Sequence, residues 1–347
     1  MSSNVNYCQD AAGIFNSYVA ACSIAAAWEI GLLDQVRNNN PVNIDNFASG
    51  HDLDQRSMRG LVSALVTSGI VQYDGDGIAP GRLLDDAYMT KGLFHWLTLG
   101  SGSVFSRMQY MLHNKNRKGN FFSRDSAAIT YACRDANEQF IDPVFLEAVS
   151  TTGISFTSAV DLGSGSGARL MQVLDRFPDS TAIGVDIAGP AIELASADAE
   201  KRGYGGRVTF LEGDATKLDY RPEFAQVDLI MSFLMGHDFW PRDNCIKSLR
   251  MLRDAFPKVK RFFLCDTMRI LVDNPKTRYA VSEESVPIFT LGFEFGHALM
   301  DVTLPTVEDW EDVFEPGGWR CIRQHYMMPP SLTMLFELEP LHGWSLR

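Results

Sequence analysis

Val160-Asp161-Leu162-Gly163-Ser164-Gly165-Ser166-Gly167 is an apolar run that ends in an acid and passes into three glycines at alternate positions. That order reads as a strand, a tight turn and a helix start. Glycine accepts the positive φ of such a turn and leaves bare main chain where a ligand can lie. The stretch therefore implies an α/β fold that holds a nucleotide-like ligand against the turn.

Two further apolar runs lead into acids. Ala182-Ile183-Gly184-Val185 ends at Asp186, 23 residues after Gly163, where a strand-end carboxylate accepts both ribose hydroxyls. Val208-Thr209-Phe210-Leu211 leads into Glu212-Gly213-Asp214-Ala215, where Asp214 is able to accept from an adenine amino group. Asp161 stands two positions before the first glycine, and the spacing is Gly-x-Gly-x-Gly rather than Gly-x-Gly-x-x-Gly. This pattern resembles motif I of class I S-adenosylmethionine-dependent methyltransferases, in which no pyrophosphate needs a helix N-terminus. The resemblance implies S-adenosylmethionine (SAM), a sulfonium with an amino-acid tail, as cofactor. It would be held by Asp161, Gly163, Gly165, Asp186, Ile187, Gly213, Asp214, Ala215 and Ser232. The runs 227–232 and 261–266 fit the fourth and fifth strands of that fold, a Rossmann-like seven-stranded α/β domain.

The chain has 347 residues, 46% hydrophobic and 21% charged, enough for two globular domains. A net charge of −12 argues against nucleic acid as partner, because phosphate contacts need clustered Lys and Arg. No basic residue precedes Arg37, and no stretch reads as the roughly 18 apolar residues of a membrane span, so a cytoplasmic location without membrane contact is expected. Six scattered cysteines form no C-x-x-C pair and are expected to be reduced and inert.

Three domains are expected: 1–100, a helical linker 101–150 that contributes to the active site, and the SAM-binding domain 151–347. Ile14, Tyr18, Ala21, Ala25, Trp28 and Leu32 recur at helical spacing, and shorter helices are expected over 43–48 and 57–68. Ile70-Val71-Gln72-Tyr73 and Ile78-Ala79-Pro80 flank a turn and complete a winged-helix arrangement. Its recognition segment, Asp54 to Gly60, carries only two arginines, so a dimerisation domain and a homodimer fit better than a DNA reader. Residues 320–326 and 331–339 read as a terminal hairpin turning at Pro329-Pro330.

After the fourth strand comes Leu234-Met235-Gly236-His237-Asp238-Phe239-Trp240-Pro241, with Pro241 suited to a helix start. Ligands of open α/β sheets sit beyond the carboxyl ends of the strands, so this loop faces the cofactor. Sixty residues after His237 stands His297, at the end of Phe289-Thr290-Leu291-Gly292-Phe293-Glu294-Phe295-Gly296-His297. Two histidines and a carboxylate suit a facial metal triad; equally, His237 is a general base and His297 a core histidine. These two stretches and Leu93-Phe94-His95-Trp96-Leu97 resemble a small group of 2-oxo-acid C-methyltransferases, over nearly the whole chain.

That resemblance implies methylation at carbon 3 of a 2-oxo acid through a metal-bound enolate, supplying a β-methyl amino acid for secondary metabolism. A non-haem ion, iron or zinc, would sit on His237, Asp238 and His297, and Trp96, Ser101 and Arg124 would have pocket or substrate-carboxylate roles. The ion would act as a Lewis acid, and Arg124 could add a bidentate grip on the carboxylate or be a surface ion pair. Phenylpyruvate, 4-methyl-2-oxopentanoate and 5-guanidino-2-oxopentanoate all fit. An aromatic substrate favours Phe293 and Trp96, a guanidinium one Glu294 or Asp301. The alternative is a small-molecule O-methyltransferase with His237 as base. No family motif lies between Asp273 and Ser285.

Overall fold

A computed structural model describes residues 3–270, 278–279, 281, 286–328 and 331–342, with side chains from residue 11. Most of the stretch from Asp273 to Ser285, and the Pro329-Pro330 turn, lie outside the described residues. The chain divides into two compact units, 1–139 and 140–347.

In the first unit, helix Ser3–Glu29 stops before Gly31, whose φ of 77° no continuing helix adopts, and a second helix runs Leu32–Asn38. The single helical run expected over 11–36 is thus broken by one glycine. Asn43 and Asp54 start the next two helices, Ile44–Gly50 and Gln55–Thr67, by accepting from the amides of Asn46 and Ser57. Strands β1 (Val42–Asn43), β2 (Val71–Asp74) and β3 (Gly77–Pro80) form an antiparallel sheet in the order β1-β3-β2. The hairpin is the expected one. The two-residue β1 is too short to carry a periodic signal. Arg59 is held by Asp45 at 3.0 Å.

One expectation is corrected: Ala11–Glu29 is long and apolar enough, by length and composition, to cross a membrane. Within its unit it is a packing helix over part of its length. Ile24, Ala27 and Trp28 join a core with Leu33, Val62 and Leu65, while Ile14, Phe15 and Tyr18 are exposed.

The second unit is built on seven strands in the order β6-β5-β4-β7-β8-β10-β9. They are β4 (Ser158–Leu162), β5 (Thr181–Asp186), β6 (Val208–Glu212), β7 (Leu229–Phe233), β8 (Arg261–Thr267), β9 (Trp319–Met327) and β10 (Thr333–Pro340). The first five in that order are parallel, and β10 and β9 close the sheet antiparallel. β4, β7 and β8 are buried along their whole length, as strands covered on both faces must be. Alternate side chains serve alternate cores: Val160, Ile230 and Leu264 pack on one face, Ala159, Met231 and Phe263 on the other. Sequence neighbours run outward from β4 in one direction and from β7 in the other. The crevice beyond their carboxyl ends is therefore the switch point where such sheets bind ligands. Burial raises the thiol pKa of Cys245 and Cys265, in keeping with inert core cysteines.

Candidate active site

The glycine turn leaves β4 with φ values of 77° at Gly163, 51° at Gly165 and 71° at Gly167. A Cβ on Gly167 would lie 2.4 Å from the ring of Phe210, and one on Gly184 would meet the same ring at 2.4 Å. Phe210 thus packs against both glycines, seating the turn on β5 and β6. Asp186 ties the turn to β5: one carboxylate oxygen accepts from Gly165 N at 2.8 Å, the other from Ala188 N at 2.9 Å. Each oxygen has a second lone pair, which leaves acceptor capacity for ribose hydroxyls.

Asp161 is buried beneath the turn with Oδ1 lacking a hydrogen-bond partner. Burial pushes its carboxyl up to about 7, with Asp142 and Asp186 adding and Arg169 opposing. A buried carboxyl with an orphan oxygen suits the ammonium of an amino-acid tail. Gly213 sits beyond β6, its amide bonded to Asp186 O at 2.9 Å. Asp214 uses Oδ1 to accept from Thr216, and those bonds hold its carboxyl below its usual range. Ala215 follows at a 3-10 turn, Ile187 is 70% exposed, and Ser232 is fully buried.

Met235 joins this half of the site to the next. Its side chain lies 3.1 Å from where a Gly163 Cβ would be, and its sulfur receives the Ser232 hydroxyl at 3.8 Å. The turn of 3-10 helix Gly236–Phe239 then presents His237. Leu234, just before it, and Phe289, at the start of helix Thr290–Leu299, both have positive φ (54° and 80°) without being glycine. Such backbone strain is held in place by surrounding packing and clusters at functional sites.

His237 Nδ1 faces the carboxylate of Asp266 at 3.0 and 3.1 Å, and Asp266 also accepts from His237 N at 2.6 Å. Asp266, at the carboxyl end of β8, is fully buried. A carboxylate only accepts, so a proton sits on Nδ1, and in the neutral ring Nε2 is the acceptor nitrogen. His297 Nδ1 donates to Phe293 O at 2.7 Å, which fixes the same tautomer. The two imidazoles are edge to face, centroids 5.0 Å apart, and Phe293 is 4.2 Å from His297 and 6.0 Å from His237.

The structure brings two of the three expected metal ligands, His237 and His297, together. Among the described residues no group of three His, Cys, Asp or Glu side chains could hold an ion. Asp238 neighbours His237 on a 3-10 turn, where successive side chains point about 120° apart, and it is exposed. The carboxylate that does face His237 is Asp266, which a spacing search does not reach. Its signal was present nonetheless, as an acid ending an apolar run like Asp161 and Asp186.

Trp96, Ser101 and Arg124 belong to the first unit. Trp96 opens a π-helical turn, Trp96–Gly100, and is 3% exposed; such turns are frequent at functional sites. Ser101 is buried with no partner for its hydroxyl. Arg124 is exposed, and its charge opposes the rise that burial imposes on the Cys133 thiol, to about 11.

Fold and site together define an α/β enzyme that holds a nucleotide-like cofactor beside a basic imidazole. Residues 159–255 match a family model described as a methyltransferase domain. Over 328 residues the chain is 53% identical to methyltransferase ungE' of Aspergillus campestris, covering 94% of this chain and 96% of that protein. It is 25% identical over 339 residues to indolepyruvate C-methyltransferase of Streptomyces griseus, covering 96% of each. Human N-acetylserotonin methyltransferase in complex with SAM shares the fold, with a TM-score of 0.67, 15% identity and coverage of 98% of this chain and 99% of that one. The chain belongs to the SAM-dependent methyltransferases, and it is a methyl-transferring enzyme with the Rossmann-like fold and a helical N-terminal region.

Proposed function

We propose that this methyltransferase acts at carbon 3 of an aromatic 2-oxo acid. The carrying observation is the His237–Asp266 pair set against Phe293 and His297: an oriented base beside aromatic rings. The match to a C-methyltransferase of an aromatic 2-oxo acid, over 96% of both chains, supports the same reading. The bound sulfonium supplies the methyl group. His237 Nε2 accepts the carbon 3 proton, and Asp266 stabilises the imidazolium that results. Carbon 3 then carries the electron pair that attacks the methyl; as the C–C bond forms, the S–CH3 bond breaks and its electron pair stays on sulfur, which leaves as the neutral thioether S-adenosylhomocysteine. Phe293 supports the substrate ring, and Trp96, Ser101 and Arg124 remain part of the proposal as substrate contacts. His237 and His297 are two of the donors that would hold an iron or zinc ion, with Asp238 as the third expected ligand, and such an ion would supply Lewis-acid stabilisation of the enolate.

The same imidazole could deprotonate a hydroxyl, which is the O-methyltransferase alternative, and the SAM-bound human neighbour has the fold that goes with it. Incubation with methyl-labelled SAM and a panel of 2-oxo acids and phenols, with products read by NMR, separates the two. A new C–CH3 doublet coupled to the carbon 3 proton is expected. An O-methyl singlet as the sole product would overturn the C-methylation reading.

We also propose a homodimer built through the first unit in a winged-helix-like dimerisation role, since helix Ser3–Glu29 leaves Ile14, Phe15 and Tyr18 exposed.

A further inference from the structure

Helix Thr290–Leu299 carries one exposed stripe, Leu291, Phe295 and Ala298, and one buried stripe, Thr290, Phe293 and His297. The buried residues follow an i, i+3, i+7 spacing and so share a face. Two of them already belong to the site. Thr290 is 2% exposed, and its Oγ1 has no hydrogen-bond partner among the described residues. A buried hydroxyl left unsatisfied forfeits its hydrogen bonds to water, so such an atom in a native fold calls for a partner. The residue just before it, Phe289, is held at a φ of 80°, which no ordinary helix start requires. Its ring lies 5.2 Å from that of Phe293, which in turn lies 4.2 Å from the His297 ring, so aromatic rings run along the helix from beside Thr290 to His297.

We propose that Thr290 is a specificity-determining residue, and that its hydroxyl bonds to a polar atom carried on the aromatic ring of the substrate. The inference rests on the aromatic 2-oxo acid reading and deepens it. Seven helical residues span roughly 10 Å, so Thr290 and His297 lie two turns apart. The reacting carbon belongs at the histidine end, where the base is; the ring then runs along Phe293, and its far edge meets Thr290. A lone neutral hydroxyl is a poor match for the substrate carboxylate, whose desolvation it could not offset. It is a good match for a neutral group such as an indole N–H or a phenol O–H. The substrate class is therefore an aromatic 2-oxo acid with a hydrogen-bonding ring.

The test compares kcat/KM for indolepyruvate, 4-hydroxyphenylpyruvate and phenylpyruvate in the wild type, Thr290→Val and Thr290→Ser. The wild type should prefer at least one polar ring over phenylpyruvate. Thr290→Val, similar in shape but without the hydroxyl, should lower that preference at least about tenfold, and Thr290→Ser should keep most of it. A wild type that favours phenylpyruvate over both polar rings overturns the inference without any variant. So does a Thr290→Val enzyme whose preference is unchanged. If the wild type methylates none of the three at carbon, the proposed reaction itself fails and takes this inference with it.

Discussion

Replacing Asp266 by Asn tests the base directly. The carboxylate is fully buried and sits 3.0 Å from His237 Nδ1. When His237 takes up a proton, charges at that separation attract by about 5 kcal/mol at an effective dielectric of about 20. Asn keeps the volume and loses the charge. Asp266 also accepts from the backbone amides of His237 (2.6 Å) and Thr267 (2.8 Å). An amide has only one acceptor atom, so its NH2 group must face one of these donors or Nδ1. Relief comes if the ring shifts its proton to Nε2, which removes the base. Part of the attraction survives as a neutral hydrogen bond, leaving a loss of about 3–5 kcal/mol, or roughly 10²- to 10⁴-fold in kcat. The assay is single-turnover methyl transfer from labelled SAM, with S-adenosylhomocysteine affinity as the control. A variant that retains kcat within about threefold while binding the cofactor normally would refute the assignment of Asp266 to the base.

Other perturbations address other parts of the molecule. Gly167→Ala combines a left-handed residue with a Cβ 2.4 Å from the Phe210 ring. It should cost about 2–5 kcal/mol, a fall in Tm on the order of 10 °C by calorimetry. The Asp161 carboxyl is raised from 3.8 to about 7, so in the unliganded protein its contribution to stability is full below pH 3.8 and is lost as pH rises through about 7. Asp161→Asn removes that titration, so the Tm of the variant relative to the wild type should climb between pH 4 and pH 8; a constant difference would show that Asp161 ionises as an ordinary carboxylate. Light scattering should find two copies of the 38.6 kDa chain for the wild type and one for the Ile14→Glu, Tyr18→Glu double variant. A dimeric double variant would remove that helix face from the interface. Dialysis against a chelator, followed by elemental analysis and assay, should leave turnover unchanged if the His237–Asp266 pair suffices; a metal-dependent loss would reinstate an ion on His237 and His297.

Local chemistry was enough to write the sheet from the sequence. Continuous apolar runs can be buried on both faces only as central parallel strands, and three alternating glycines permit few backbones other than the positive-φ turn observed. The place of Asp186, at a strand end beside that turn, was legible for the same reason; its bonds to the amides of Gly165 and Ala188 were not. Nor was the carboxylate that faces His237. His237 and Asp266 are 29 residues apart and meet because β7 and β8 are hydrogen-bonded neighbours, a pairing that no local spacing encodes. Asp238, adjacent in sequence, looked the better carboxylate, whereas the one found against the His237 ring is Asp266. Thr290 is likewise an ordinary residue in the sequence, and only burial without a partner among the described residues singles it out. Sequence alone determined which cofactor this chain is built to hold, because main-chain geometry at glycine is a local property. Which side chains meet around His237 was decided by strand order and helix facing, properties of the folded sheet as a whole.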